Sequence, residues 1–404
     1  MKNRDKNMDR RTFLKTTGIV GGASFAVSSG LTSNALASEQ AKDTSIKAVP
    51  TRIMGKSGIP VSILSFGGLD WSTNQNLLRL GFTMGVTMWD TSDRYQNGKS
   101  ELGIGEYFGK HPEDRQKVFI STKATEATDP AQITAALDQS LERMKTDYVD
   151  LYMLSMMKGV PTGAKELMEK FKKEGKVKLV GFSSHLGNDQ VVAQSIAMGW
   201  VDVLMITYNY ILMQKDQIRK QIDDCAKAGI GLIAIKSQAK THDAKETPEA
   251  LAATQYFMEK GCTLEQAKIK AVLSDERIAS VCSDITSVTI LKDNVAAAID
   301  NLKLSSRDLS VFKTLAEAES RHYCQGCGKC LAAMGNASRI PDVMRYMMYY
   351  NSYGDRDRAR GLYRELPEDL RKCLASRDYS LAESACPHGL RIGKIMREAS
   401  TLLA

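Results

Sequence analysis

Three residues of this chain have the side chains and spacing for proton chemistry. Asp90 and Tyr95 lie in the run Met88-Trp-Asp-Thr-Ser-Asp-Arg-Tyr-Gln-Asn-Gly-Lys-Ser-Glu101, and Lys123 closes Val118-Phe-Ile-Ser-Thr-Lys123. A tyrosine hydroxyl titrates near pH ~10, so it serves as a general acid at neutral pH only where a nearby cation lowers its pKa. Lys123 is the candidate cation: Asp90 would hold it in an ion pair and Lys123 would polarise Tyr95. The three converge only if both apolar runs are neighbouring strands with their C-terminal ends at one mouth.

A second group suits metal chemistry. Three of the eight cysteines crowd into Cys324-Gln-Gly-Cys327-Gly-Lys-Cys330. C-x2-C-x2-C is three quarters of the bacterial ferredoxin run, whose fourth cysteine precedes a proline and serves the other of two clusters. Here position 334 is Met, while Cys386-Pro387 stands downstream without companion cysteines at 376, 379 or 382. The pattern predicts one 4Fe-4S cluster on Cys324, Cys327, Cys330 and Cys386, with Cys373 as the rival fourth ligand. Zinc or reduced thiols is the competing reading, although zinc favours paired C-x2-C spacings. Cys225, Cys262 and Cys282 lack metal spacing and read as packing residues.

The elements that must position these groups follow from periodicity. From Arg52 onward short apolar runs alternate with longer helical patterns, the signature of repeated βα units. Strands are expected at 63–67, 87–90, 118–123, 148–154, 178–183, 202–208, 231–236 and 280–283, with helices between them such as 130–143, 163–174, 189–198 and 214–228. Eight such units predict an α/β fold, a (β/α)8 TIM barrel with its chemistry at the strand C-termini, followed by a small, mostly helical ferredoxin-like iron-sulfur domain. The division expected is a signal at 1–37, a linker at 38–50, the barrel at 51–304 and the cluster domain at 305–404. The long connection 240–265 is a candidate cover for the mouth. The Met- and Tyr-rich stretch 341–353 reads as packing between the two parts, and the Asp355-Arg-Asp-Arg-Ala-Arg360 run as a solvated helix face.

Asp9-Arg-Arg-Thr-Phe-Leu-Lys15, a mildly apolar stretch after it and Ala35-Leu-Ala37 match a twin-arginine signal with an A-x-A cleavage site. The stretch is too short and polar to span a bilayer comfortably, so the expectation is a periplasmic or otherwise exported protein with no stable membrane insertion after cleavage. That route carries folded proteins, which suits a cofactor inserted beforehand. At 43% hydrophobic and 25% charged the composition is that of an ordinary globular chain. Of the formal charge of +8, residues 1–37 supply +4, six Lys or Arg against two Asp; the remainder is too weakly basic to argue for nucleic acid.

The run Asp90-Thr-Ser-x-x-Tyr95 with Gly98-x-Ser100-Glu101, and a lysine closing the next strand, resembles the aldo/keto reductases. The segment 52–62 looks like their N-terminal hairpin and Asp147-Tyr-Val-Asp-Leu-Tyr152 like their fourth strand. Taken whole, the chain resembles the branch that carries a twin-arginine signal and a ferredoxin-like C-terminal domain. The resemblance implies Tyr95, Lys123 and Asp90 as catalytic residues, with Ser155 where the family has a histidine; a serine cannot carry charge or orient a carbonyl as an imidazole would. It places Ser183, Ser184, Tyr208, Lys236 and Asn294 around a possible NAD(P), with Lys236 as a candidate anion ligand. Met205 stands in place of a glutamine and Ile235 in place of an aromatic residue at the nicotinamide. The 282–289 loop replaces the usual phosphate loop and lacks an arginine for a 2′-phosphate. His185 reads as a histidine at the surface or packed behind the site, with substitution for the missing histidine as the alternative.

Two functions follow. The first is an exported oxidoreductase acting on a small carbonyl or polyol substrate, with the cluster passing single electrons to or from a redox partner protein. The second is a non-catalytic electron-transfer or binding protein that keeps the barrel as a scaffold. Free nicotinamide nucleotide is not generally supplied outside the cytoplasm, so it would travel bound or be replaced by the cluster.

Overall fold

The computed structural model describes residues 47–67, 71–155, 159–185, 188–239, 247–300, 303–335 and 338–404, which belong to one compact unit, Ile46–Ala404. The expected signal, its cleavage site and most of the linker lie outside the described residues.

The chain enters through a hairpin, β1 (Thr51–Ile53) and β2 (Pro60–Ser62), paired antiparallel. Eight parallel strands follow: β3 (Leu64–Gly67), β4 (Met88–Asp90), β5 (Phe119–Ala124), β6 (Val149–Ser155), β7 (Val177–Ser183), β8 (Val203–Thr207), β9 (Gly231–Ile235) and β10 (Ile278–Asp284). They close into a barrel in the order β10-β3-β4-β5-β6-β7-β8-β9, so the sequence expectation of a (β/α)8 barrel holds strand by strand. Helices α1 (Gln75–Thr83), α2 (Lys99–Lys110), α3 (Pro130–Met144), α4 (Ala164–Lys173), α5 (Asn188–Met198), α6 (Asp216–Lys227), α7 (Pro248–Glu259), α8 (Leu264–Leu273) and α9 (Val288–Ile299) surround it. Their starts are set by local chemistry. The Asn74 and Asp129 side chains accept from the free N–H groups of Leu77 and Gln132, and Thr263 with Gln266 makes a reciprocal capping box.

Strands buried on both faces are largely apolar, and these are, apart from polar residues such as Asp90, Ser121, Thr122 and Lys123 on β4 and β5. Met88, Leu151, Met153, Val203 and Ile233 fill the barrel interior, with Met54 and Val61 of the hairpin. Leu64, Trp89, Ile120, Tyr152 and Phe182 face outward against the helices. The hairpin approaches so closely that a Cβ on Gly55, at φ 53°, would lie 2.4 Å from the Gly231 nitrogen. Only glycine fits there without a backbone shift.

Beyond the barrel the chain is helical: α10 (Ser306–Glu319), α11 (Lys329–Met334), α12 (Ile340–Met348), a π-helical turn at Tyr349–Tyr353, α13 (Arg356–Arg364), α14 (Glu368–Cys373), α15 (Ser380–Ala385) and α16 (Ile392–Leu402). These helices share one apolar cluster with α7 and α8, including Phe257, Phe312, Met344, Met347 and Met396. Phe257 and Phe312 pack with centroids 5.0 Å apart, and Lys260 pairs with Asp308. Helix α7 therefore anchors the extension. The described part of the connection expected to cover the mouth does this instead, and the mouth is roofed by 341–358. No helix among the described residues is long and apolar enough to cross a membrane.

Candidate active site and thiol cluster

Strands β4 and β5 pair with Asp90 opposite Ser121, which sets Asp90 and Lys123 at the same end of adjacent strands. The Lys123 Nζ donates to Asp90 Oδ2 at 2.6 Å and to the Thr91 carbonyl at 2.6 Å, and Ser121 Oγ donates to Asp90 Oδ1 at 2.9 Å. Both charged side chains are nearly sealed from solvent. Burial alone would lower the lysine, but Asp90 and the Tyr95 phenol outweigh it and hold Lys123 above its ordinary value.

Tyr95 follows β4 in a loop whose next two residues, Gln96 and Asn97, have φ of 51° and 55°. That left-handed pair is strained and turns the chain into α2 through Gly98. The Gly98-x-Ser100-Glu101 motif ties the loop down: Ser100 Oγ bonds Thr91 Oγ1 at 2.7 Å, and Glu101 accepts from Thr122 and Arg143 at 2.6 Å each. Lys123 Nζ lies 5.0 Å from the centre of the Tyr95 ring. The expected acidification of Tyr95 is not what the geometry gives. Burial raises the phenol, Lys123 opposes this only in part, and the net shift is upward. Burial is the main reason, and Asp90 and Cys282 beside the phenol add to the rise and offset part of what Lys123 contributes.

Cys282, read from sequence as a packing residue, also faces this site. Its Sγ lies 3.8 Å from Asp90 Oδ2 and within 2.0 Å of where a Cβ on Gly67 would stand. Glycine at 67 is what lets the thiol turn inward. Burial pushes that thiol above its ordinary pKa, and Asp90 adds to the rise.

The other expected site residues divide. Ser155 ends β6 opposite Ser183 of β7, and Ser183 in turn stands opposite Met205 of β8. Ser183, Ser184, Met205 and Ile235 are buried around the inner end of the mouth, and His185 continues from them. Asn294 is buried and donates to Ser283 Oγ at 2.9 Å. Tyr208 is not with them: its hydroxyl donates to Asp275 Oδ2 at 2.7 Å in the layer between strands and helices. Asp275 and Arg277 use it structurally. Lys236, with φ 56°, turns over the mouth and donates to the Tyr349 hydroxyl at 3.1 Å.

Sequence reasoning missed that partner. Tyr349 comes from the π-helical turn of the extension, and the Arg358 guanidinium sits 4.3 Å from its ring centre. Burial would raise this phenol. Lys236, Arg358 and Arg345 overcome it and bring Tyr349 down to about 7. Arg358 also pairs with Asp284 of β10 at 3.8 Å, so the run read as a solvated face sends one arginine into the mouth. The density of Met and Tyr in 341–353 was legible; that it delivers a titratable phenol to Lys236 was not, because the signal is a contact 113 residues apart.

Cys324, Cys327, Cys330 and Cys386 line one cavity with Met344 and Leu390. Cys373 does not join them; it is exposed, with its thiol on the Leu370 carbonyl at 3.4 Å. Burial pushes Cys324 up to about 12 and Cys330 up to about 11, so their thiolates need a bound cation to form. Backbone N–H groups at Gly326 and Leu331 already point at these two sulfurs. Among the described residues, the triad whose ligand atoms lie within 4.8 Å of one another is the surface group His111, Glu113 and Asp114, and the four thiols are spaced more widely. A second cavity at the mouth is lined by His185, Lys236, Arg345 and Tyr323, and it shares Cys324, Gln325 and Pro341 with the first.

The structure is a closed eight-stranded parallel α/β barrel with an Asp–Lys pair and a tyrosine at its mouth. Residues 64–317 match the profile of the Aldo/keto reductase family, and the chain belongs to that family. Curated relatives include Aldo-keto reductase AFTS1 of Alternaria alternata, 26% identical over 46% of this chain and 64% of that protein. L-galactose dehydrogenase of Arabidopsis thaliana is 22% identical over 67% of this chain and 95% of its own length. The chain thus spans just under two thirds of the Alternaria protein. Among solved structures, the aldo-keto reductase AKR11C1 from Bacillus halodurans matches 67% of this chain and 97% of its own, with a TM-score of 0.55 and 22% identity, which is a likeness of fold.

Proposed function

We propose that this chain is an exported oxidoreductase of the aldo/keto reductase type, acting on a small carbonyl or hydroxyl substrate and exchanging single electrons through an iron-sulfur cluster. The observation that carries the proposal is the wall shared by the two cavities. Cys324 belongs both to the thiol cavity and to the cavity under Lys236 and His185, so an electron carrier on the thiols abuts the place where substrate would meet the barrel mouth.

The thiols fit a four-iron cluster better than one zinc. A tetrahedral zinc with ~2.3 Å bonds draws its sulfurs to about 3.8 Å from one another, and these four stand further apart than 4.8 Å as a group. N–H groups aimed at the sulfurs are a feature that tunes such clusters. When bound, the cluster would supply one-electron transfer, to or from a redox partner protein. NAD(P), if held, would meet Ser183, Ser184 and Asn294; no step below depends on it.

The chain's own residues do the rest. Asp90 fixes Lys123, and Lys123 fixes the charge beside Tyr95. Tyr95 keeps its proton at neutral pH and is ready to hand it to a carbonyl oxygen, an acid whose donation becomes easier once negative charge develops beside Lys123. Ser155 offers one neutral hydrogen bond where a histidine would have offered an imidazole.

Two measurements test this. Protein purified without air should contain about four iron and four sulfide per chain; zinc alone would sink the cluster. With an artificial electron donor and a panel of aldehydes, ketones and polyols, Tyr95→Phe should cut turnover by about 10²–10⁴-fold. Turnover, or cluster cycling, that ignores the substitution would favour a barrel kept only as scaffold.

A further inference from the structure

The mouth collects positive charge that its own acids do not match. Among the described residues Lys236 reaches no carboxylate, and it rests on the Tyr349 hydroxyl at 3.1 Å. Arg345 has Asp342 at 2.8 Å, but Asp342 also serves Arg339 at 2.6 Å. Arg358 reaches Asp284 and Asp355 only at 3.8 and 3.7 Å. The remaining titratable groups facing Tyr349 are Tyr323 and Tyr353, both held neutral by burial.

His185 registers the same field. His185 is driven well below its ordinary value by burial and then by Arg345, Lys236 and Arg358, so its ring is neutral. Its Nδ1 is buried with no hydrogen-bond partner. A buried polar atom left without a partner is costly, and a cavity opens beside it.

We propose that the cavity bounded by His185, Lys236, Arg345 and Gln325 is an oxyanion site that receives the carboxylate or phosphate of a small substrate. The anion would accept from Lys236, from Arg345 and from the Nδ1–H tautomer of the neutral His185 ring, in a cavity that Cys324 also lines. The inference rests on the mouth being the substrate site, and it narrows the substrate from any carbonyl or polyol to one that carries an oxyanion near its reacting carbon. The cavity is small, which favours a compact group over an extended chain.

Tyr349 provides the readout. An anion in the cavity neutralises part of the field that holds the phenol ionised, so binding should protonate it and remove its phenolate ultraviolet band. The experiment uses the anaerobically purified full chain at pH 7.5 with acetate, inorganic phosphate, glycerol and NADPH as probes, followed by phenolate absorbance and by titration calorimetry. Acetate or phosphate should saturate the signal while glycerol leaves it unchanged, and the tighter of the two identifies the group. Lys236→Met should weaken binding by about tenfold or more, the loss of one charged hydrogen bond. Arg345→Gln should do the same without touching the Tyr349 contact of Lys236. The proposal is overturned if neither small anion binds, if glycerol binds equally, if NADPH alone gives the signal, or if both variants bind as wild type. Binding is read without turnover, so a failure of Tyr95 to matter would leave this result standing.

Discussion

Two tyrosine–lysine pairs stand at one barrel mouth and behave oppositely. Tyr95 lies beside Lys123, yet Lys123 is committed to Asp90 and Thr91, and the phenol is raised. Tyr349 accepts directly from Lys236, which has no carboxylate partner among the described residues, and with Arg358 and Arg345 added the phenol falls to about 7. What separates the two tyrosines is the cationic field set against burial: three cations act on Tyr349, whereas at Tyr95 Asp90 and Cys282 work against Lys123 and Arg358. The first pair stores a proton; the second releases one near neutrality.

The comparison breaks most easily at Asp90. Asp90→Asn leaves the Lys123 ammonium buried with no counter-charge, and breaking a buried pair in this way costs about 3–5 kcal/mol. The loss should appear as a lower denaturant midpoint at unchanged slope. Lys236→Met should cost far less, because Tyr349 can simply take up its proton. Equal losses in Asp90→Asn and Lys236→Met would remove the distinction between a fixed and a titratable partner.

A smaller effect follows from the depressed phenol. Tyr349 is lower in the folded chain than in the unfolded one, so it favours folding above pH 7, and this contribution is lost as pH falls through about 7. Between pH 7 and the ordinary tyrosine value near ~10, the stability gap between wild type and Tyr349→Phe should widen by at most about 1.4 kcal/mol per pH unit. Below pH 6.5 the gap should stop changing. Parallel curves across the whole range would mean that Tyr349 stays protonated.

The unequal legibility of the two pairs has a physical cause. Asp90, Tyr95 and Lys123 are set by strand order and by a local loop, so periodicity plus one motif placed them, and all eight strands emerged within a few residues. The Ser100 and Glu101 contacts explain why that motif is compact in sequence: it ties one loop to the adjacent strand and helix. Cys386 lines one cavity with the three clustered cysteines, the companion position that the Cys-Pro pair in the sequence suggested. Tyr349 and Arg358 arrive by packing of a helical extension whose register against the barrel depends on Phe257, Phe312 and the methionines around them, and no short-range pattern reports it. Tyr208 failed for the reverse reason. Its position after β8 is right for the mouth, but a tertiary partner, Asp275, claims its hydroxyl on the other side of the strand.

Arg358 links the two pairs and gives the smallest effect on stability. Its carboxylate contacts at 3.7–3.8 Å are long and partly exposed, and pairs of that kind contribute about 0–1 kcal/mol. Its electrostatic reach is larger than its stability: it lowers both Tyr95 and Tyr349, second among the charges on Tyr349 and last among those on Tyr95. Arg358→Met should therefore leave the thermal midpoint nearly unchanged while removing most of the phenolate absorbance at pH 7.5, with Lys236 retained. Repeating the measurement in Tyr95→Phe should give the same loss, since Tyr95 is protonated throughout. If the absorbance survives without Arg358, Lys236 alone ionises Tyr349, and the positive charge at the mouth is one side chain's property rather than a field shared between barrel and extension.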